Sequence, residues 1–148
     1  MVQRVERASV QVDGETIGAI GRGLLVLVAA GKEDSLPNAP AKAVGLADKI
    51  AHLRIFGDES GRSNLSLLDT GGSALVISQF TLYADTKRGR RPSFTDAADP
   101  VPAQALVEEF RAALDRLGIP TASGRFGAHM TVSLVNDGPY TMLLDTED

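Results

Sequence analysis

The stretch A-L-V-I-S-Q-F-T-L-Y, residues 74–83, decides the fold prediction for this chain. Four apolar residues open it, as in a strand buried within a sheet, and we predict one strand over the whole stretch. Polar side chains at Ser78, Gln79 and Thr81 interrupt the apolar run. On a continuous strand Ser78 and Phe80 share one face, whereas Gln79 and Thr81 share the other. Because buried polar groups need partners, these side chains either bond neighbouring strands or line a pocket at the strand's C-terminal end. The pattern favours neither.

The rest of the chain supplies further strands and two main helices. Strands are predicted at residues 8–12, 15–20, 24–30, 53–56, 64–68, 131–135 and 140–144. Helices are predicted at residues 41–52, with Ser35 as the N-cap, and at 103–117, where Leu106, Phe110, Leu114 and Leu117 share one face. Residues 84–102 are predicted to be a functional or partner-binding loop. This order predicts one α+β domain over residues 1–148, with a curved sheet that is mostly antiparallel or mixed.

The composition excludes several classes of protein and site. The chain has 148 residues and a formal net charge of −4, which argues against a generally basic nucleic-acid-binding domain and against DNA as a partner. It has no cysteine, which excludes disulfides, thiolate zinc sites and cysteine nucleophiles. The two histidines, His52 and His129, favour structural or surface roles, and we expect no metal and no cofactor. No apolar run has membrane-spanning length and no signal peptide begins the chain, so we expect no membrane partner and a cytoplasmic location.

Two local segments have chemistry that composition does not explain. Lys87, Arg88, Arg90 and Arg91 put four cations into five residues. From charge alone a solvated surface loop is favoured over a contact with phosphates. Residues 132–141 read V-S-L-V-N-D-G-P-Y-T, and Asp137-Gly138 has the residue types of a turn between two strands.

Taken together, these segments resemble the two signatures of the D-aminoacyl-tRNA deacylase family. The first signature matches Ser78-Gln79-Phe80-Thr81-Leu82, then Tyr83-Ala84-Asp85-Thr86, then Gly89-Arg90-Arg91-Pro92-Ser93-Phe94. The second, a G-P-x-T motif, matches Asn136-Asp137-Gly138-Pro139-Tyr140-Thr141. Further matches run along the chain, among them residues 2–5, 23–27 and 124–128. Two separated motifs in the right order, with agreement in length, identify the chain as a member of this family.

The resemblance implies an enzyme that hydrolyses the ester between a D-amino acid, or glycine, and the 3′-terminal adenosine of tRNA. It implies a homodimer whose sheets pack across the two-fold axis into a barrel-like core, with each active site at the dimer interface. Ser78, Gln79, Phe80 and Thr81 would line the pocket for the adenosine and the aminoacyl group. Gly138-Pro139, with a cis peptide bond, would reach the partner's site, supported by Asn136, Asp137 and Thr141. Lys87, Arg88, Arg90 and Arg91 would contact acceptor-stem phosphates.

The implied mechanism needs no catalytic base, and the residues supply none next to Thr81. Main-chain carbonyls close to the chiral carbon would exclude an L side chain, and backbone N–H groups near Phe80 or Thr81 would stabilise the oxyanion. Two alternatives stay open: Thr81 as a nucleophile, and a catalytically silent relative that only binds tRNA or the aminoacyl group. Two residues depart from the family pattern, Tyr140 where valine is common and His129 where an acidic residue is frequent.

Overall fold

The chain forms a mixed sheet with helices packed against it. A computed structural model describes residues 1–35 and 37–147; Leu36 and Asp148, which belong to the predicted 1–148 domain, lie outside the described residues. The strands are β1 (Val2–Val12), β2 (Glu15–Ile20), β3 (Gly23–Val28), β4 (Phe56–Gly57), β5 (Ser63–Leu65), β6 (Ser73–Ser78), β7 (Thr121–Ser123) and β8 (Thr131–Met142). The α-helices are α1 (Ala39–His52), α2 (Leu67–Thr70) and α3 (Pro100–Arg116), and 3-10 helices cover Lys32–Ser35 and Phe80–Tyr83.

The main sheet is almost closed into a barrel. Its order is β2-β1-β3-β6-β7, and β8 pairs with β1. The β3–β6 and β6–β7 pairs are parallel, and the other pairs of this sheet are antiparallel. Each parallel pair is joined by a connection that contains a helix, which brings the chain back to the same end of the sheet. At the closing edge, β2 approaches β7 so closely that a Cβ added to Gly18 would lie 2.8 Å from the carbonyl oxygen of Ser123. The predicted α+β class with a curved, mixed sheet is confirmed.

The core has two parts, one on each face of the central strands β3 and β6. Leu24, Val26, Ala74 and Val76 belong to the part that packs against α1 and α3, together with Phe56 and Phe110. Leu25, Leu75 and Ile77 belong to the part inside the barrel, with Val5 and Val10 of β1. Since both faces of β6 are covered, its residues 74–77 are all buried. This explains the uninterrupted apolar run that opens the 74–83 stretch.

The strand predicted over residues 74–83 was wrong in its second half. β6 ends at Ser78, opposite Val28, the last residue of β3. The backbone N–H of Gln79 still donates to the carbonyl of Val28 at 2.8 Å. With no further residue of β3 to pair with, the chain leaves the sheet and forms the 3-10 helix. The alternation of faces therefore does not apply beyond Ser78.

Other predicted boundaries also differ from the structure. α1 begins at Ala39 after Asn38, so Ser35 is not its N-cap. α3 begins with Pro100, three residues before the predicted start, since proline suits the first turn of a helix. Only Phe56 of the predicted 53–56 strand is paired, and β7 was not predicted. None of the helices among the described residues is both long and apolar enough to cross a membrane.

Two regions predicted as strands have another structure. Residues 64–68 leave β5 at Leu65 and enter α2, where the Ser66 hydroxyl accepts from Asp69 N at 3.1 Å and the Asp69 carboxylate accepts from Ser66 N at 2.8 Å. This reciprocal capping box begins a helix. At the C-terminal end, the two strands predicted at 131–135 and 140–144 are one strand, β8, interrupted by a bulge.

Candidate active site

The first signature ends β6 and continues into the 3-10 helix Phe80–Tyr83, called here the Phe80 turn. Ser78 and Gln79 are half-buried, and Phe80 is 55% exposed. The side-chain amide of Gln79 donates to the hydroxyl of Thr81. The polar residues of the stretch thus lie at the C-terminal end of a central strand, and among the described residues their side chains form no hydrogen bond with a neighbouring strand.

The Phe80 turn presents two backbone N–H groups. Its first 3-10 hydrogen bond runs from Leu82 N to the Gln79 carbonyl at 3.2 Å, and another runs from Ala84 N to the Thr81 carbonyl at 3.1 Å. The N–H groups of Phe80 and Thr81 precede the first of these bonds, so the turn offers them no acceptor. No side chain or carbonyl among the described residues accepts from them. They can donate to a ligand.

Two cavities adjoin this segment. Ser78 lines a cavity of about 280 Å³ together with Arg111, Phe126 and Met130. Arg111 is held there because its guanidinium donates to the hydroxyls of Thr121, at 2.9 Å, and Ser123, at 2.6 Å. This cavity was not predicted, because its walls combine β6 with α3 and the segment after β7, which are distant in sequence. A second cavity, of about 180 Å³, is lined by Leu82 and Tyr83 of the turn.

The second signature forms the bulge in β8, called here the Pro139 bulge (residues 137–140). Gln3 of β1 pairs with Thr141 and Val5 with Asn136, so Arg4 alone faces the four residues of the bulge. The Gly138–Pro139 peptide bond is cis, and both residues are exposed. Gly138 has φ +148°, a backbone conformation that favours glycine. The bulge carries an exposed main chain out of an otherwise paired strand.

Hydrogen bonds of the side chains at the two ends of the bulge join those ends to each other. The side-chain oxygen Oδ1 of Asn136 accepts from the backbone N–H of Tyr140 at 2.8 Å, and its side-chain nitrogen Nδ2 donates to the Thr141 hydroxyl at 3.0 Å. The Gln3 amide donates to the same hydroxyl at 3.2 Å. Asn136 and Thr141 therefore support the conformation of the bulge rather than project from it.

Arg4 holds the bulge from beneath, a role that was not predicted. Its Nε donates to the carbonyl oxygen of Asp137 at 3.0 Å and lies 3.3 Å from the Asp137 carboxylate. Its Nη1 donates to the carbonyl of Ile55 at 2.6 Å, and its guanidinium lies 4.5 Å from the centre of the Tyr140 ring. β1 also carries Glu6 and Arg7, so nothing in the local sequence distinguishes Arg4 from them. Tyr140, the residue that departs from the family pattern, thus supplies a cation–π contact.

Within one chain the two signatures lie apart. β6 and β8 are separated in the sheet by β3 and β1. Three interstrand spacings correspond to about 14 Å along the sheet. Among the described residues, no hydrogen bond, ion pair or ring contact joins Ser78–Thr81 to the Pro139 bulge. One subunit alone therefore does not bring them into a common site.

The four cations of residues 87–91, called here the basic loop, are exposed. The loop is closed by a pair of backbone hydrogen bonds between Asp85 and Ser93, at 2.8 and 2.9 Å, and Phe94 beyond it packs edge-on against Phe80, with ring centres 5.2 Å apart. In the described part of the chain none of the four cations forms an ion pair. Their charge is available to an anionic partner beside the Phe80 turn.

Neither histidine lies in a catalytic arrangement. His52 is exposed and pairs with Asp48, four residues earlier in α1, at 3.5 Å. His129 is exposed in the loop before β8, and no described side chain bonds to it. Tyr83 is the titratable residue of the Phe80 turn: burial, and then the carboxylates of Asp34 and Asp145, raise the pKa of its phenol above its ordinary 10.0. No acid–base pair stands beside Thr81 among these groups.

Known proteins resemble this one over almost the whole chain. It is 62% identical over 146 residues to the D-aminoacyl-tRNA deacylase of Roseiflexus castenholzii, covering 99% of this chain and 90% of that one. It is 55% identical over 148 residues to the D-aminoacyl-tRNA deacylase of Thermomicrobium roseum, covering 100% and 94%. A solved structure titled c-Myc DNA Unwinding Element Binding Protein has a TM-score of 0.87 and 39% identity, covering 97% and 95%. A probable eukaryotic D-amino acid tRNA deacylase, at 18% identity, has a TM-score of 0.81 and shares the fold.

The fold, the two signatures and the relatives define the class of protein: the chain is an enzyme, a hydrolase that cleaves a carboxylic ester. A family model described as D-Tyr-tRNA(Tyr) deacylase matches residues 1–145. The chain belongs to that family.

Proposed function

We propose that this enzyme works as a homodimer that hydrolyses D-aminoacyl-tRNA, and also glycyl-tRNA, and rejects L-aminoacyl-tRNA. In each site the Phe80 turn comes from one subunit and the Pro139 bulge from the other. The observation that carries the proposal is the bulge itself, an exposed glycine–proline main chain held from both ends and from beneath by Asn136, Thr141 and Arg4. A segment so constrained suits a rigid steric filter.

The separation of the two signatures supports the homodimer. About 14 Å of sheet lies between them in one subunit, so a shared site needs the bulge of a second copy. The strand that carries the bulge also favours association. Among the described strands β8 pairs only with β1, which leaves its other edge open over a strand of twelve residues. A long open edge is a template for pairing with another chain.

The chirality of the substrate would be read by the main chain. Carbonyl groups of Gly138 and Pro139, placed beside the α-amino group and α-carbon, would clash with any L side chain. A D side chain points away from them and glycine has none, so neither is excluded. Such a filter ignores side-chain identity and works by exclusion. It protects the L-aminoacyl-tRNA pool that translation uses.

The reaction needs positioning and oxyanion stabilisation more than a base. A water oxygen attacks the ester carbonyl, the bond to the ribose 3′-oxygen breaks, and the proton of the water passes to that oxygen with assistance from the neighbouring 2′-OH. The free N–H groups of Phe80 and Thr81 would donate to the oxyanion. Thr81 is a poor nucleophile here because its hydroxyl accepts from Gln79 and no basic side chain bonds to it.

The basic loop would bind the acceptor stem. Lys87, Arg88, Arg90 and Arg91 are exposed beside the Phe80 turn, where the phosphates near a bound 3′ end would pass. One structural neighbour has a title that refers to a DNA element. Competition by single-stranded DNA against D-aminoacyl-tRNA would test that alternative, and we expect DNA to compete poorly.

The activity is tested by the release of D-tyrosine from D-tyrosyl-tRNA, with L-tyrosyl-tRNA as the matched substrate. We expect rapid loss of the D-form and buffer-level loss of the L-form. Loss of the D-form at the buffer rate, with tRNA still bound, would make the chain the catalytically silent relative. Thr81→Ala is expected to retain activity, whereas complete loss in that variant would favour Thr81 as a nucleophile.

Complementation between subunits tests the shared site. Thr81→Pro removes one free N–H at a position where proline costs no intrahelical bond, and Gly138→Ala alters the bulge. Each variant alone is expected to be inactive. A mixed dimer has one site with both defects and one site with neither, so an equal mixture should recover about a quarter of wild-type activity by two-fold symmetry. No recovery, after exchange of subunits has been verified, would show that each site lies within one chain.

A further inference from the structure

The Phe80 turn has little packed core beneath it. None of its four residues is buried. Leu82 and Tyr83 line the 180 Å³ cavity, whose other walls come from β3 and the residues that follow it, from α1 and α3, and from residues near both ends of the chain. Core packing normally fixes the position of a segment. Here the position of the two free N–H groups depends on a small number of contacts.

One of these contacts is between Tyr83 and Gly31. A Cβ added to Gly31 would lie 2.6 Å from the Tyr83 hydroxyl oxygen and 2.9 Å from the ring carbon that bears it. Gly31 is itself held, because its N–H donates to the Asp34 carboxylate at 2.8 Å. The phenol ring therefore packs against main chain at a place where no side chain fits.

The segment beneath Tyr83 is also the base of the long loop that carries the four cations. Ala98 N donates to the carbonyl of Ala30 at 3.0 Å, and Lys32 N donates to the carbonyl of Asp96 at 2.8 Å. Gly31 pairs with Ala97 between them. The Phe80 turn is thus linked to that long loop at two places, directly through Phe80 against Phe94 and indirectly through Tyr83, which packs on the Gly31 segment that bonds the base of the loop.

We propose that Tyr83 is a positioning residue for the deacylation reaction: its ring, packed on Gly31, fixes the Phe80 turn relative to the loop that carries the basic residues. The inference rests on the proposed function. Tyr83 does not touch the reacting atoms; it holds the N–H groups of Phe80 and Thr81 where the oxyanion forms. Removing the contact lowers kcat and leaves binding of tRNA through the basic loop in place.

A double-mutant cycle tests this role. Tyr83→Ala removes the ring, and Gly31→Ala pushes it away. Each is expected to lower kcat on D-tyrosyl-tRNA by about 10- to 100-fold, the usual cost of a small misplacement at a reacting centre, with little change in KM. Because both changes break one contact, the double variant should be no slower than the slower single variant. Tyr83→Phe keeps the ring and should restore most of the kcat lost in Tyr83→Ala.

The matched control is Gly45→Ala, at an exposed position of α1 where an added Cβ meets nothing within 4 Å. It should match wild type in kcat. A second measurement does not depend on turnover. The chain has two tyrosines and no tryptophan. An absorbance titration of the wild type therefore reports on Tyr83 and Tyr140, and the same titration of Tyr83→Phe reports on Tyr140 alone. The difference between the two curves is the titration of Tyr83. In Gly31→Ala that phenol should titrate closer to its ordinary value, because the ring has moved towards solvent.

Three results would overturn the inference: additive losses in the cycle, a loss confined to KM, or full kcat in Tyr83→Ala. A wild-type enzyme that does not hydrolyse D-tyrosyl-tRNA would instead overturn the proposed function. In that case the phenol titration still tests the Tyr83–Gly31 contact, and an unchanged titration in Gly31→Ala would show that the contact is absent. The two failures are therefore distinguishable.

Discussion

Replacing Arg4 by lysine tests whether the Pro139 bulge must be held from beneath. The Arg4 side chain is 15% exposed and donates to two carbonyl groups, those of Asp137 and Ile55, in different directions. A lysine ammonium on a flexible stem cannot reproduce a planar guanidinium that bonds two acceptors and stacks on an aromatic ring. We expect Arg4→Lys to keep one of the two hydrogen bonds and to lose the ring contact with Tyr140.

The magnitude follows from these contacts. A hydrogen bond to a charged group contributes about 1.5–3 kcal/mol, and a partly exposed cation–π contact contributes about 0.5–1 kcal/mol. Their loss amounts to about 2–4 kcal/mol in the free energy of unfolding. If the same energy is lost from the transition state, kcat/KM for D-tyrosyl-tRNA falls by about 30- to 1000-fold, since about 1.4 kcal/mol corresponds to a factor of ten.

The assay compares Arg4→Lys with Arg7→Lys. Arg7 lies on the same strand and is exposed, and its side chain has no hydrogen bond or ion pair among the described residues. Urea unfolding gives the stability difference, and release of D- and L-tyrosine gives the rates. We expect Arg7→Lys to resemble wild type in both. If Arg4→Lys also resembles wild type in both, the bulge does not depend on Arg4 and the reasoning is wrong.

Three further predictions concern separate parts of the molecule. Gly138→Ala should lower hydrolysis of the D-substrate to the buffer rate, because a side chain is strained at φ +148° and its Cβ would lie 2.7 Å from Tyr140 N; an unchanged D-rate would contradict this. Asp69→Asn should be less stable than wild type at neutral pH. The hydrogen bonds to Ser66 hold the pKa of the Asp69 carboxyl below its ordinary 3.8, so its contribution is present above that value and lost as pH falls through the lower folded pKa. Urea midpoints measured from pH 7 to pH 2 should therefore converge, and a constant gap would refute the assignment. Finally, glutamine at all four cationic positions of the basic loop should weaken tRNA binding and reduce the slope of log K against log salt by about 3; an unchanged slope would remove the loop from the tRNA contact.

The local sequence pattern predicted the elements that are buried on both faces, or on one regular face. Residues 74–77 and 24–26 are apolar throughout because both faces of β3 and β6 are covered, and Phe110 and Leu114 are buried on the predicted face of α3. The end of β6 depends on where β3 stops, which nothing near Ser78 reveals. α2 could have been found, because Ser66 and Asp69 have the spacing of a capping box.

The candidate site was harder to predict, because its contacts are distant in sequence. The hydrogen bonds of Arg4 reach residues 133 and 51 positions away. The bulge is a mismatch of register between β1 and β8, so Asp137-Gly138 has the composition of an ordinary turn and gives no sign of it. The family resemblance, and not the composition, predicted Gly138 and Pro139 as site residues. The roles of Ser78, Gln79, Gly138 and Pro139 remain predictions that the experiments above address.

The Pro139 bulge begins and ends in the same strand. On one side Asn136 pairs with Val5, and on the other Thr141 pairs with Gln3, so both of its ends are anchored to the barrel wall. A loop between two strands can swing about its ends, but a protrusion anchored in this way moves only if the wall moves. Backbone amides on either side of it, and that of Tyr140, which donates to Asn136, should exchange with solvent slowly, whereas the exposed amide of Gly138 should exchange quickly. The enzyme would then present an exposed recognition element with the rigidity of its sheet, without a lid or hinge.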